Sequence, residues 1–212
     1  MRLLIATHNA GKLGELEALL APLGIETVGA ASLGLPVPEE TEETFAGNAA
    51  LKARAAAEAT GMIALADDSG LEVDALGGRP GVRTADWAET PGGRDFAMAM
   101  RRVEDEMEAL GDPPRTARFR AALCLAWPDG RTEIHEGEVE GEIVWPPQGA
   151  GGHGYDPIFR PEGHARTFGE MGAAEKAPLT HRARALAKLA ARLEALARED
   201  GHAALAARAS AR

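Results

Sequence analysis

The 212-residue chain is 45% hydrophobic with a formal charge of −10, enough apolar content for the core of one large domain or two closely packed lobes. That acidic balance argues against a nucleic-acid backbone or an anionic membrane as the main partner, since both select for a basic face, but it allows a phosphorylated small molecule held by a few local cations. Cys124 is the single cysteine, which excludes an intramolecular disulfide; no stretch nears the ~20 apolar residues of a membrane span, and the opening lacks the h-region and cleavage site of a signal peptide, so the expected setting is the reducing cytoplasm.

In chain order, Leu3 to Ala6 reads as a buried strand and Thr7 to Gly11 as a polar turn. A helix follows with Leu13, Leu16, Leu20 and Leu23 at helical spacing, stopping near Gly24. Strand, tight polar loop and helix is the order by which many α/β proteins turn backbone N–H groups toward a phosphate. A short strand is expected at Glu26 to Val28, then a loop from Leu33 to Glu43 holding Pro36, Pro38 and four glutamates. Thr44 to Thr60 has helical spacing and sets Thr44, Asn48 and Lys52 along one polar stripe.

Met62 to Ala66 reads as a strand running directly into Asp67-Asp68-Ser69-Gly70. This places two carboxylates at a strand's carboxyl end, where open α/β sheets commonly hold ligands. Leu71 to Leu76 reads as a further strand, and Gly77, Gly78, Pro80 and Gly81 as a turn-rich excursion. Arg94 to Leu110 is a charged amphipathic helix; Arg115 to Trp127 and Arg131 to Val144 are long strands joined at Pro128-Asp129-Gly130, a hairpin expected to build a second lobe. A glycine-rich loop, Gly149 to Gly154, precedes Tyr155-Asp156-Pro157-Ile158-Phe159. The last helix presents Leu186, Leu189, Leu193 and Leu196, a stripe that packs either on its own sheet or at an interface, and the tail from Asp200 to Arg212 is expected to fray. Internal repeats and long linkers are absent, so residues 1–212 read as one domain of two lobes.

Three constellations carry chemistry. Thr7-His8-Asn9-Ala10-Gly11-Lys12 combines side-chain donors, a glycine and a lysine between a strand and a helix start; Ala6 and Leu13 exclude a Walker A loop. A plainer reading has Thr7 or Asn9 capping the helix and Lys12 solvated. Asp67 and Asp68, with Glu39 and Glu40 in the preceding loop, suit Mg²⁺, which takes one or two carboxylates and completes its shell with water and phosphate oxygens. Asp-Asp-Ser-Gly is also good turn chemistry, and Ser69 is outside any Gly-x-Ser-x-Gly elbow, so it reads as a contacting or capping hydroxyl. Third, a flexible glycine loop with His153, Gly154, Tyr155 and Asp156, together with Lys176, His181 and Arg182, offers rings to stack on a base and cations to donate to a purine carbonyl; a surface hairpin explains the loop as well. The six histidines lack zinc-ligand spacing.

Together these segments closely resemble the inosine triphosphate pyrophosphatases, also called XTP/dITP diphosphatases or non-canonical purine NTP pyrophosphatases. The matching pieces run in order from Ile5 to Leu189: Thr7 to Lys12, Glu39-Glu40-Thr41 with Thr44-Phe45 and Asn48-Ala49, Ala66 to Leu71 with Val73 to Leu76, Pro80-Gly81-Val82, Gly154 to Phe159, and Lys176 with His181-Arg182. Asp-Asp-Ser-Gly-Leu plus Gly-Tyr-Asp-Pro is the most specific combination. The resemblance implies an elongated α/β fold, a mixed β-sheet flanked by helices, in two lobes with a central active-site cleft, working as a homodimer. It implies hydrolysis of dITP, ITP and XTP to the monophosphate and pyrophosphate with Mg²⁺ as cofactor, cleansing the nucleotide pool. By the same carry-over, Thr7, His8, Asn9, Ala10, Gly11 and Lys12 bind the triphosphate, Asp68 is proton acceptor and metal ligand, Glu40 helps hold Mg²⁺, and Ser69 touches substrate. His153, Gly154, Tyr155, Asp156, Lys176, His181 and Arg182 surround base and sugar.

Four positions depart from the family pattern. Glu42 stands for a usual glycine, Gly47 for a usual glutamate, Asp86 for a usual arginine and His153 for a usual phenylalanine. Other classes compete with this reading: a pyrophosphatase for dUTP or modified pyrimidine triphosphates, and a nucleotide-binding module without turnover, against which Glu40, Asp67, Asp68 and Lys12 together argue.

Overall fold

The computed structural model describes residues 2–111 and 113–210, with side chains from residue 199 onward outside the described residues. The tail expected to fray, 200–212, falls in that stretch.

The chain opens with β1 (Arg2–Ile5), whose Leu3, Leu4 and Ile5 are all fully buried. A continuous apolar run suits a strand covered on both faces, and β1 pairs in parallel on both sides, with β2 (Glu26–Gly29) and β3 (Ala64–Val73). Between β1 and β2 lies α1 (Ala10–Leu20); Pro22 turns its end into a 3₁₀ turn, and Gly24 closes it in the left-handed region. Between β2 and β3 lies α2 (Phe45–Thr60), capped by Thr44 and terminated by left-handed Gly61. Its buried face is nearly all alanine, which lets a helix pack closely.

The strand expected to end at Ala66 instead continues through Asp67-Asp68-Ser69-Gly70 to Val73. The turn chemistry of that tetrapeptide yields to pairing within the sheet, so both aspartates stand inside a strand and not at its carboxyl end. The excursion after it holds a small hairpin missed in the sequence, β4 (Glu89–Thr90) with β5 (Gly93–Arg94). Asp95 then caps α3 (Phe96–Glu108), which buries Ala99, Met100, Val103 and Met107. The expected hairpin is present as β6 (Thr116–Ala126) and β7 (Thr132–Ile143), turned where Gly130 N–H donates to the Trp127 carbonyl. Two short elements escaped the sequence reading, β8 (Phe159–Pro161) and α4 (Ala173–Lys176), both too brief to show periodicity. The last helix, α5 (His181–Ser210), buries Leu186, Leu189, Leu193 and Leu196, so the leucine stripe packs within the chain.

The result is an α/β fold: a mixed six-stranded sheet of order β2-β1-β3-β6-β7-β8, flanked by helices. The chain forms two compact units, the first of Met1–Asp67, Ala122–Glu136 and Ala185–Arg212, the second of Asp68–Ala121 and Gly137–Arg184. The first unit's core is mostly aliphatic, with Leu16, Leu20, Leu65 and Ala53 fully buried and Phe45 and Trp127 buried as well. The second is aromatic: Phe119 meets Phe159 edge-on at 4.7 Å between centroids, and Phe159 meets Phe168 at 5.4 Å.

Candidate active site

In the first unit, the loop between β1 and α1 is organised by its own polar side chains. Asn9 Oδ1 accepts from the N–H groups of Gly11 (2.9 Å) and Lys12 (3.1 Å), and Thr7 Oγ1 accepts from Asn9 N–H (3.2 Å). Asn9 is therefore the helix cap of the plainer reading, and Ala10 and Gly11 remain exposed at the positive end of the helix dipole. His8 donates from Nε2 to the Leu35 carbonyl at 2.8 Å, since that oxygen can only accept. Lys12 is not a solvated lysine. Its Nζ lies 2.7 Å from Oδ2 of Asp67, whose side chain is wholly buried.

The acidic loop before α2 is fastened to that helix by the polar stripe on its face. Lys52 Nζ bonds Glu40 Oε1 at 2.7 Å. Asn48, buried at 2% exposure, holds residue 42 from both sides: its Oδ1 accepts from Glu42 N–H (3.0 Å) and its Nδ2 donates to the Glu42 carbonyl (3.2 Å). Thr44 Oγ1 accepts from Gly47 N–H. Neither Asn48 nor Lys52 was singled out from sequence as a site residue, although their spacing at i and i+4 on the stripe with Thr44 was the available signal.

Asp67 and Asp68 are 1% and 5% exposed. Successive side chains of a strand point to opposite faces, so one cannot duplicate the other's role. Asp67 meets Lys12 in the first unit, while Asp68 begins the second.

In the second unit, Arg182, itself buried, donates from Nη2 to Ser69 Oγ at 2.9 Å. Asp156, 3% exposed, anchors the glycine loop: its carboxylate accepts from His153 N–H and pairs with the Lys176 ammonium. Lys176 also stands over the Phe168 ring. The loop expected to be flexible is instead tied down. Gly151 N–H donates to the Gly169 carbonyl, Gln148 N–H to that of Pro157, and a Cβ at Gly149 would run into the Gly169 backbone, so glycine serves close approach of two segments of the chain.

The rings divide. His153 is exposed. His181 stacks on Phe119 with centroids 5.1 Å apart and planes 14° apart. Tyr155 is 1% exposed, packed edge-on against Phe96, with its hydroxyl donating to the Thr84 carbonyl at 3.0 Å. Burial pushes its phenol well above the usual range. Its ring belongs to the core.

Among the described residues no three His, Cys, Asp or Glu side chains converge, and no helix is long and apolar enough to cross a membrane. The acidic donors are carboxylate oxygens, the ligand type of hard cations that keep much of their shell for water and phosphate.

Comparison with known proteins gives a match to the Ham1 family over residues 3–192. A dITP/XTP pyrophosphatase of Ruegeria pomeroyi is 60% identical over 187 residues, 88% of this chain and 92% of that protein. One from Rhizobium meliloti is 55% identical, covering 86% of this chain and 91% of the relative. Among solved structures, a HAM1 protein from Coxiella burnetii superposes with a TM-score of 0.85 at 38% identity, covering 91% of this chain and 98% of the other.

Proposed function

This chain belongs to the Ham1 family, and on that premise we propose that it hydrolyses the non-canonical purine triphosphates dITP, ITP and XTP to the nucleoside monophosphate and pyrophosphate. The observation that supports the reading is the placement of Asp67 and Asp68 at successive positions inside β3, the first joined to Lys12 and the second on the opposite face of the strand.

Such a pyrophosphatase needs a divalent metal ion, and we assign Mg²⁺. Glu40 and Asp68 are its ligands in this reading: both offer hard carboxylate oxygens, and two carboxylates leave the octahedral shell open for water and phosphate. When bound, the ion neutralises phosphate charge and acidifies water. Asp68 accepts a proton from the water that attacks the α-phosphorus; the bond from that phosphorus to the bridging oxygen breaks, and pyrophosphate leaves. Thr7 to Gly11 and Lys12 hold the triphosphate, with the dipole of α1 and the Lys12 charge favouring its anionic oxygens. Ser69, kept in place by Arg182, touches substrate.

His153, Gly154, Tyr155, Asp156, Lys176, His181 and Arg182 line the base and sugar, Tyr155 through its backbone. Lys176 and Arg182 donate but cannot accept, which suits the 6-oxo group of hypoxanthine or xanthine and opposes the 6-amino donor of adenine. In this reading the chain acts as a cytoplasmic homodimer on a small-molecule substrate, and its charge of −10 argues against nucleic acid or an anionic membrane as partner.

Pyrophosphate release from dITP, ITP, XTP, dUTP, GTP and ATP with Mg²⁺ tests the proposal. The expected result is kcat/KM for ITP about 100-fold or more above ATP, the discrimination that a polar mismatch gives. Comparable values for ATP and ITP, or no pyrophosphate from dITP, would overturn it.

A further inference from the structure

A glycine in the first turn of a helix weakens it, and Gly47 sits there in α2 without a backbone reason, for its φ is not positive. The reason is steric. A Cβ at position 47 would lie 2.7 Å from Glu42 Cβ, 3.0 Å from Glu42 Cγ and 3.0 Å from Thr44 Oγ1. Glu42 Cβ is no flexible end that swings aside: its place follows from the backbone of residue 42, which Asn48 grips at both N–H and carbonyl. Two of the four departures from the family pattern thus meet at one point. Glu42 brings a side-chain stem into the space above the first turn of α2, and Gly47 gives up a side chain there.

We infer that Glu42 and Gly47 are a coupled pair, and that Gly47 is a positioning residue for Glu40. The chain of contacts is short: Gly47 leaves room for the Glu42 stem, Asn48 locks residue 42 against α2, and Glu40, two residues earlier, is held by Lys52 from the same helix. A methyl group at position 47 pushes residue 42 off the helix and carries Glu40 with it. The functional half of this inference rests on the reading of Glu40 as a metal ligand.

The test compares Gly47→Ala, Glu42→Gly/Gly47→Ala and Glu42→Ala/Gly47→Ala with the parent. Two quantities are read: the thermal midpoint of the metal-free protein, and the Mg²⁺ concentration giving half-maximal pyrophosphate release from dITP. Gly47→Ala is expected to lower the midpoint by about 5 °C, as overpacking does, and to raise the half-saturating Mg²⁺ about tenfold, as displaced supports of metal ligands do. Glu42→Gly/Gly47→Ala should return both toward the parent. Glu42→Ala/Gly47→Ala keeps the offending Cβ and should not, which separates steric fit from loss of a charge. The inference is overturned if Gly47→Ala leaves both quantities unchanged, or if removing the Glu42 side chain fails to relieve it. A parent enzyme that turns over without added metal would sink the metal reading of Glu40 and the functional half here, while the midpoints still decide the steric pairing.

Discussion

Lys12 Nζ lies 2.7 Å from Asp67 Oδ2, an ion pair between the first turn of α1 and the interior of β3 in which the carboxylate side chain is fully buried and the lysine keeps 24% exposure. The pair ties the expected phosphate loop to the strand that carries the acids. Lys12→Met takes the ammonium from a buried carboxylate and should cost about 3 kcal/mol of stability. Lys12→Met/Asp67→Asn should regain most of that. Urea unfolding measures it; a double variant no more stable than Lys12→Met would show the pair is not the source of the loss.

Asp68→Asn keeps the shape of the side chain and removes its basicity. The turnover of dITP should fall by about 100- to 10,000-fold, the range for loss of a general base. The thermal midpoint should stay close to that of the parent. A folded variant with near-normal turnover would remove Asp68 from this role.

Tyr155 gives the opposite profile. Tyr155→Phe loses the hydroxyl that donates to the Thr84 carbonyl, so stability should drop by about 1 kcal/mol. Because the ring is in the core, KM for dITP should stay within about twofold of the parent. A large rise in KM with unchanged stability would place the hydroxyl against substrate instead.

Cys124 is fully buried, and burial pushes its thiol up to about 11 from 9.0. At pH 8 the folded protein should react with a thiol reagent only as fast as it opens, and unfolded protein rapidly. The folded state holds this proton more tightly than the unfolded state, so the thiol's contribution to stability is complete below pH 9 and is lost as pH rises from 9 to about 11. Cys124→Ala should flatten that segment of the stability profile. A parallel decline in parent and variant would assign the effect to other groups.

Much of this was legible in advance because the signals were local. The apolar run of β1, the capping chemistry of Asn9 and the turn at Gly130 each depend on residues a few positions apart. Asp67-Asp68-Ser69-Gly70 misled for the same reason: its turn propensity is local, whereas its strand conformation comes from neighbours in the sheet. The glycine loop likewise read as flexible, because its restraints come from Gly169 and Asp156, outside the glycine run.

The sequence by itself determined which chemical groups this protein owns: an acid loop, paired aspartates in an apolar segment, a lysine at a helix start and a glycine-tyrosine-aspartate run beside cations. Tertiary structure decided how each is used. It joined Lys12 to Asp67 across 55 residues of chain, turned the Tyr155 ring inward, and set the stem of Glu42 against Gly47. Composition and periodicity report the preferences of a residue and its near neighbours, while partner choice among buried groups is settled by which distant side chains the packing brings within hydrogen-bond reach.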